Sequence, residues 1–126
     1  MKIGFTANIE ELTLANNFFR QVLFTAPHSQ LVLMALQPGE EIGSEVHEDN
    51  DQFFRIEQGQ AMVVIDGGES EVKDGWAVVV PAGVEHNVIN FGKEVLKLYT
   101  IYSPAHHPDK TIHKTKAEAM AAEEEE

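Results

Sequence analysis

Four residues of metal-holding types recur at close spacing in this chain. Glu45 and His47 stand two apart, so on an extended strand both side chains leave the same face. Gln52 opens a β-type run after the turn-like stretch Glu48-Asp49-Asn50-Asp51, and a hairpin there returns it to the side of that pair. His86 begins a strand just after the turn Pro81-Ala82-Gly83. Imidazole suits zinc, copper, iron or nickel, and carboxylate and amide oxygens also suit manganese. Taken singly, each residue has a plainer reading. Glu45 is one acid among many, His47 a solvated loop residue, Gln52 an ordinary strand amide and His86 a turn histidine.

Other polar residues weigh less. Asp49 and Asp51 read as turn formers. Glu85 neighbours His86 and therefore faces the opposite side of its strand. His28 lies in a Pro-His-Ser loop. His106, His107 and His113 follow Ser103-Pro104 and read as a solvated segment ahead of a second metal site. Tyr99 and Tyr102 lie on a late strand, where core packing is the common use.

The elements that must position these residues are β-strands. β-type runs cover 17–25, 29–37, 51–58, 61–66, 69–73, 76–80, 86–91 and 95–102, with Gly, Pro, Asn and Asp between them. Short strands at this spacing indicate a sandwich or small barrel. The apolar runs 31–36 and 77–80 predict strands covered on both faces, by a second sheet or by another subunit. Helices are expected over 9–15, where one turn is the alternative, and over 115–126, where Ala, Glu and Lys give high propensity. Strand alternation puts Phe54 and Ile56 on the face of Gln52, puts Val88 and Asn90 on that of His86, and leaves Arg55 outside. The interior beside the four residues is then apolar.

The 126 residues suit one compact domain, with a core over about 17–103 and an extension over 104–126. The absence of cysteine removes disulfides, thiolate ligands and thiol nucleophiles together. The opening stretch shows no signal-peptide apolar region, and no run approaches the ~20 residues of a membrane helix. A cytoplasmic protein is the expectation. Net charge is −12, and without Glu118 and Glu123 to Glu126 there remain sixteen acids against nine basic residues. Such a surface repels nucleic-acid phosphates and anionic membranes.

Two ordered motifs tie these observations together. The first reads Gly39-x5-Glu45-x-His47-x4-Gln52-x6-Gly59, and the second Gly75-x5-Pro81-x-Gly83-x2-His86-x3-Asn90. Together they resemble the small single-domain cupins of the RmlC-like superfamily. The second motif matches at every position. The first carries Glu45 where a histidine is usual and Gln52 where a glutamate is usual. The resemblance implies an all-β cupin barrel, a double-stranded β-helix or jelly roll, with a short C-terminal helical tail. It implies one divalent metal ion (Mn, Fe, Ni or Zn) held by Glu45, His47, Gln52 and His86. It also implies a metal-dependent enzyme acting on a small organic molecule, of dioxygenase, isomerase or lyase type. The alternative is a non-catalytic binding or sensing cupin. The expected partners are a small-molecule ligand or substrate and a second copy of the chain in a homodimer.

Overall fold

The computed structural model describes residues 3–124. The last two glutamates of the expected tail helix lie outside them. A short helix comes first, α1 (Ile9–Ala15), with Asn8 as its cap. The Asn8 side chain accepts from the Glu11 amide at 3.1 Å, and Glu10 and Glu11 place negative charge in the first turn. The strands follow as β1 (Arg20–Thr25), β2 (Gln30–Leu36), β3 (Asp51–Gln58), β4 (Gln60–Ile65), β5 (Gly68–Lys73), β6 (Ala77–Val80), β7 (His86–Asn90), β8 (Leu96–Ser103) and β9 (Ile112–His113). A second helix, α2 (Lys116–Glu124), closes the order. The strand β9 interrupts what the sequence presents as an irregular extension.

Two antiparallel sheets result. One runs β6-β3-β8-β2-β1-β9 and the other β5-β4-β7. Their inner faces bury Phe54, Ile56, Val32, Met34, Leu36, Leu96 and Leu98 from the larger sheet, and Ala61, Val63, Val72 and Val88 from the smaller. This is the all-β barrel that the strand pattern predicts.

Register sorts the inner face into rows. Gln30 pairs with Tyr102, and Tyr102 with Gln52, so three polar residues lie side by side across β2, β8 and β3. The next inward row is Val32, Thr100 and Phe54, and the one after it Met34, Leu98 and Ile56. One end of the barrel thus carries a polar row, and the rows beneath it are mostly apolar. Gln52 and His86 sit on strands at this end, while Glu45 and His47 come from the segment 37–50 between β2 and β3.

The apolar run of β2 is covered on both faces, as expected. Its outward residues Leu33 and Ala35 are buried, and α1 lies over β2, β3 and β8 on that side. The cover comes from the chain's own helix. The run 77–80 corrects the expectation. It alternates, with Val78 and Val80 inward and Ala77 outward, and Val79 is 63% exposed. β6 lies at the edge of its sheet, and its outer face is open at Ala77 and Val79.

Motif positions outside the four polar residues prove to be structural. Gly59 joins β3 to β4 at φ +101°, and a Cβ there would lie 3.2 Å from the Leu96 Cα. Asn90 is fully buried. Its amide donates to the Leu36 and Glu94 carbonyls, each at 3.0 Å, and its oxygen accepts from the Gly92 amide at 2.9 Å. Replacing Asn90 with Ala orphans those three backbone groups. Asn90→Ala is therefore expected to cost about 3 kcal/mol in urea unfolding, with metal content per folded chain unchanged.

Candidate metal centre

Glu45 and His86 meet through the main chain. Each amide donates to the other's carbonyl, at 2.9 and 3.0 Å, as an isolated antiparallel bridge. Residues paired this way present side chains to the same face. His47, two residues on from Glu45, turns inward as well and is 7% exposed. Gln52 enters from β3 and is 3% exposed. The Pro81–Gly83 turn that launches β7 is held to β3, because Asp51 accepts from the Ala82 amide at 2.9 Å and Gly83 donates to the His47 carbonyl at 2.9 Å. Asp51 is the first residue of β3 and not part of its own turn, and its side chain ties down a turn distant in the chain.

Hydrogen bonds orient the side chains. The His86 Nδ1 lies 3.0 Å from the Val84 carbonyl, which can only accept, so Nδ1 carries a hydrogen. The Nε2 of a neutral ring is then a lone pair. It faces the Gln52 Oε1 at 3.1 Å, while the Gln52 amide nitrogen donates to the Thr100 hydroxyl at 3.0 Å. Two lone pairs at that distance repel unless a cation lies between them or the amide turns over.

His47 carries the sharper signal. Its Nε2 is buried without a hydrogen-bond partner and stands 3.8 Å from a Glu45 carboxylate oxygen. That separation is too long for a hydrogen bond. Two ligands each about 2.1 Å from one ion lie between about 3 and 4.2 Å apart, and the observed distance falls inside that range. Burial pushes the His47 pKa down to about 4, with the charges of His106, His86 and Arg20 adding to the effect. The ring is neutral at pH 7 and offers its lone pair without releasing a proton.

His106 departs from its sequence reading. Its residue is exposed, but its ring centroid is 4.2 Å from that of His47 and 5.3 Å from that of Tyr102. Donor atoms of Glu45, His47 and His106 all lie within 4.8 Å of one another. His86 joins from the other side, its ring centroid 5.3 Å from that of His47. The structure therefore brings the four sequence-predicted residues to one end of the barrel and adds His106 to them.

The loop bearing His106 is fastened to the polar row. Gln30 accepts from the His106 and His107 amides at 3.1 and 3.0 Å, and donates to the His107 carbonyl at 2.7 Å. Asn50 donates to the Pro104 carbonyl at 2.6 Å. His107 packs on Tyr102, with its Nε2 3.3 Å from the phenol oxygen. His113 lies in β9 against β1. The stretch 104–107 is thus fastened beside the site, while 108–110 are exposed as the sequence reading expects.

A model of the cupin domain matches residues 32–102. This chain belongs to the cupin family. The cupin is 49% identical over 126 aligned residues to the YrkC protein of Bacillus subtilis (strain 168), covering 95% of this chain and 68% of YrkC. It is 48% identical over 109 residues to L612 of Acanthamoeba polyphaga mimivirus, covering 82% of this chain and 68% of L612. The crystal structure of BH2720 from Bacillus halodurans superposes with a TM-score of 0.91 at 46% identity, covering 93% of each chain. Cupins commonly bind small molecules. Among the described residues, no helix is long and apolar enough to cross a membrane.

The buried imidazole has a consequence for the metal-free protein. Unfolded, His47 takes a proton near pH 6.5, but folded only near 4. Between those values the unfolded chain holds the extra proton, so stability falls as pH drops from about 6.5 to about 4. The loss from this residue is on the order of 2–3 kcal/mol. Urea unfolding of chelated protein at pH 7 and pH 4.5 should show that slope, and His47→Gln should flatten it.

Proposed function

We propose that Glu45, His47, Gln52 and His86 hold one divalent metal ion, and that the chain is a metal-dependent enzyme acting on a small organic molecule. The unpartnered Nε2 of His47, buried and 3.8 Å from the Glu45 carboxylate, is the observation that carries this reading. The donor set fits the group, since two imidazoles and one carboxylate match the composition of non-haem iron(II) oxygenase sites. We infer a dioxygenase ahead of a lyase or isomerase on that ground. A bound ion supplies Lewis acidity, and iron(II) also supplies electrons to dioxygen.

The chain's own residues do the rest. The Val84 carbonyl fixes the His86 tautomer that leaves Nε2 as the ligand atom. Thr100 holds the Gln52 amide so that Oε1 faces inward. Glu45 brings one negative charge to offset the ion. Phe54, whose ring centroid is 6.2 Å from that of His86, keeps water from the inner side. His106 stands on the exposed side, where its ring can take or give a proton at a bound substrate. The domain is proposed to act as a unit over 1–126, with the 104–126 extension contributing to the site.

Elemental mass spectrometry of tag-free protein tests this directly. Near one ion per chain is expected, with nearly complete loss in His47→Ala and His86→Ala. Iron should bring oxygen consumption with candidate substrates, whereas manganese, nickel or zinc directs the search to lyase and isomerase assays. No metal in any form, even after reconstitution with divalent ions, sinks the metalloenzyme and leaves a binding barrel.

A homodimer remains part of the proposal. Register sets Val79, Phe53, Ile101 and Leu31 side by side across the outer face of β6, β3, β8 and β2. That row is a natural surface for a second copy. Analytical ultracentrifugation should show a dimer that Val79→Asp weakens by at least about tenfold. A monomeric wild-type chain at micromolar concentration overturns it.

A further inference from the structure

Arg20 sits where strand alternation calls for an apolar side chain. On β1 it pairs with Met34 of β2, as Val22 pairs with Val32, so it shares the inner face with the core. It is 3% exposed. A guanidinium keeps its charge at any working pH, so burial without an anion is costly. No carboxylate of residues 3–122 lies within ion-pair distance of it. Its Nη1 donates to the His113 Nδ1 at 3.2 Å, and its carbon lies 5.3 Å from the Phe19 ring centroid. The Nε is buried without a partner, and Nη2 lies beside it on the guanidinium. These two atoms form the side-on edge of the guanidinium, whose parallel N–H groups match the two oxygens of a carboxylate.

Arg20 lines a cavity of about 240 Å³, together with His106, His107, Pro108, Thr111, His113 and Ala122. His106 is common to this cavity and to the cluster with Glu45 and His47. A molecule lying across that ring can therefore reach both places.

We propose that this cavity is a carboxylate-binding subsite, in which the Nε–Nη2 edge of Arg20 grips one carboxylate of the substrate while the rest of the molecule extends past His106 toward the metal centre. This deepens the function proposed above and rests on it for the reaction, though not for the binding. One fixed positive charge suits a monoanionic carboxylate. The walls formed by Pro108 and Ala122 suit an apolar body behind it. The Nε is shielded from water in this state, so entry requires a ring of the wall to turn aside, and the exposed His106 is the ring with room to do so.

The chain has only two arginines, so Arg20 can be observed by itself. The full chain, labelled with nitrogen-15, is titrated with benzoate, with neutral benzamide and with inorganic phosphate, after chelation and again as purified. Arg55→Lys assigns the two Nε–H signals. In the chelated protein, benzoate is expected to move the Arg20 signal saturably and leave that of Arg55 in place, while benzamide moves neither. Calorimetry should show Arg20→Lys, which keeps the charge and loses the fork, binding benzoate about tenfold or more weakly. An Arg20 signal unmoved by benzoate, or moved equally by benzamide, overturns the subsite. Tighter binding of phosphate than of benzoate overturns its assignment to carboxylates. Benzoate binding that vanishes on chelation places the anion on the ion and also overturns it. A chain that holds no metal yet binds benzoate at Arg20 keeps the subsite and discards the enzyme.

Discussion

The reciprocal main-chain pairing of Glu45 with His86 is the constraint on which the site depends. It involves no side chain, yet it fixes which residue of each motif faces which. Shifting that register by one residue would aim Val46 and Glu85 inward and take a carboxylate and an imidazole out of the interior. The shift is opposed from both sides of β7, because His86 is also locked opposite Ile65 of β4. The turn before it is tied to Asp51 and to the His47 carbonyl. Backbone hydrogen bonds thus create a cluster of polar side chains whose members do not all attract one another.

That cluster is held against its own electrostatics. A buried imidazole nitrogen without a partner is an arrangement a barrel interior does not adopt for stability. The cost is tolerable because the rows beneath are mostly apolar and well buried, and because α1 lies over the outer face of the same sheet. The buried Arg20 guanidinium and the neutral His47 imidazole also stand out against a chain of net charge −12. An anion approaching a molecule of this net charge is repelled on average, and the gathering of Arg20 with the histidines is a local exception that favours selectivity over general stickiness.

Much of the fold was legible, for local reasons. Strand alternation in 51–58 and 86–90 placed Gln52, Phe54, Ile56, His86, Val88 and Asn90 on the inner face, where all of them are buried. The two motifs marked the turns at Gly59 and Pro81–Gly83. The run 77–80 misled because four apolar residues look alike whether a strand is central or at an edge, and edge position is a property of sheet order. His106 was missed for a related reason. Nothing in its neighbourhood says that Gln30, some 76 residues earlier in the chain, fastens it over the barrel. Arg20 was hidden in the same way, since a charge in a mixed strand gives no sign of its face until the partner strand is known.

Gln30 has one further consequence. It grips the segment at 106 and 107 through amides and a carbonyl, atoms that every residue there except proline supplies. The fastening is therefore indifferent to what the side chains are. The rings at those two positions can be exchanged for other chemistry without breaking these three bonds, so the anchor can stay constant while the choice of molecule diverges. A designer gains the same freedom: two adjacent positions open to variation, on a backbone already clamped from beneath.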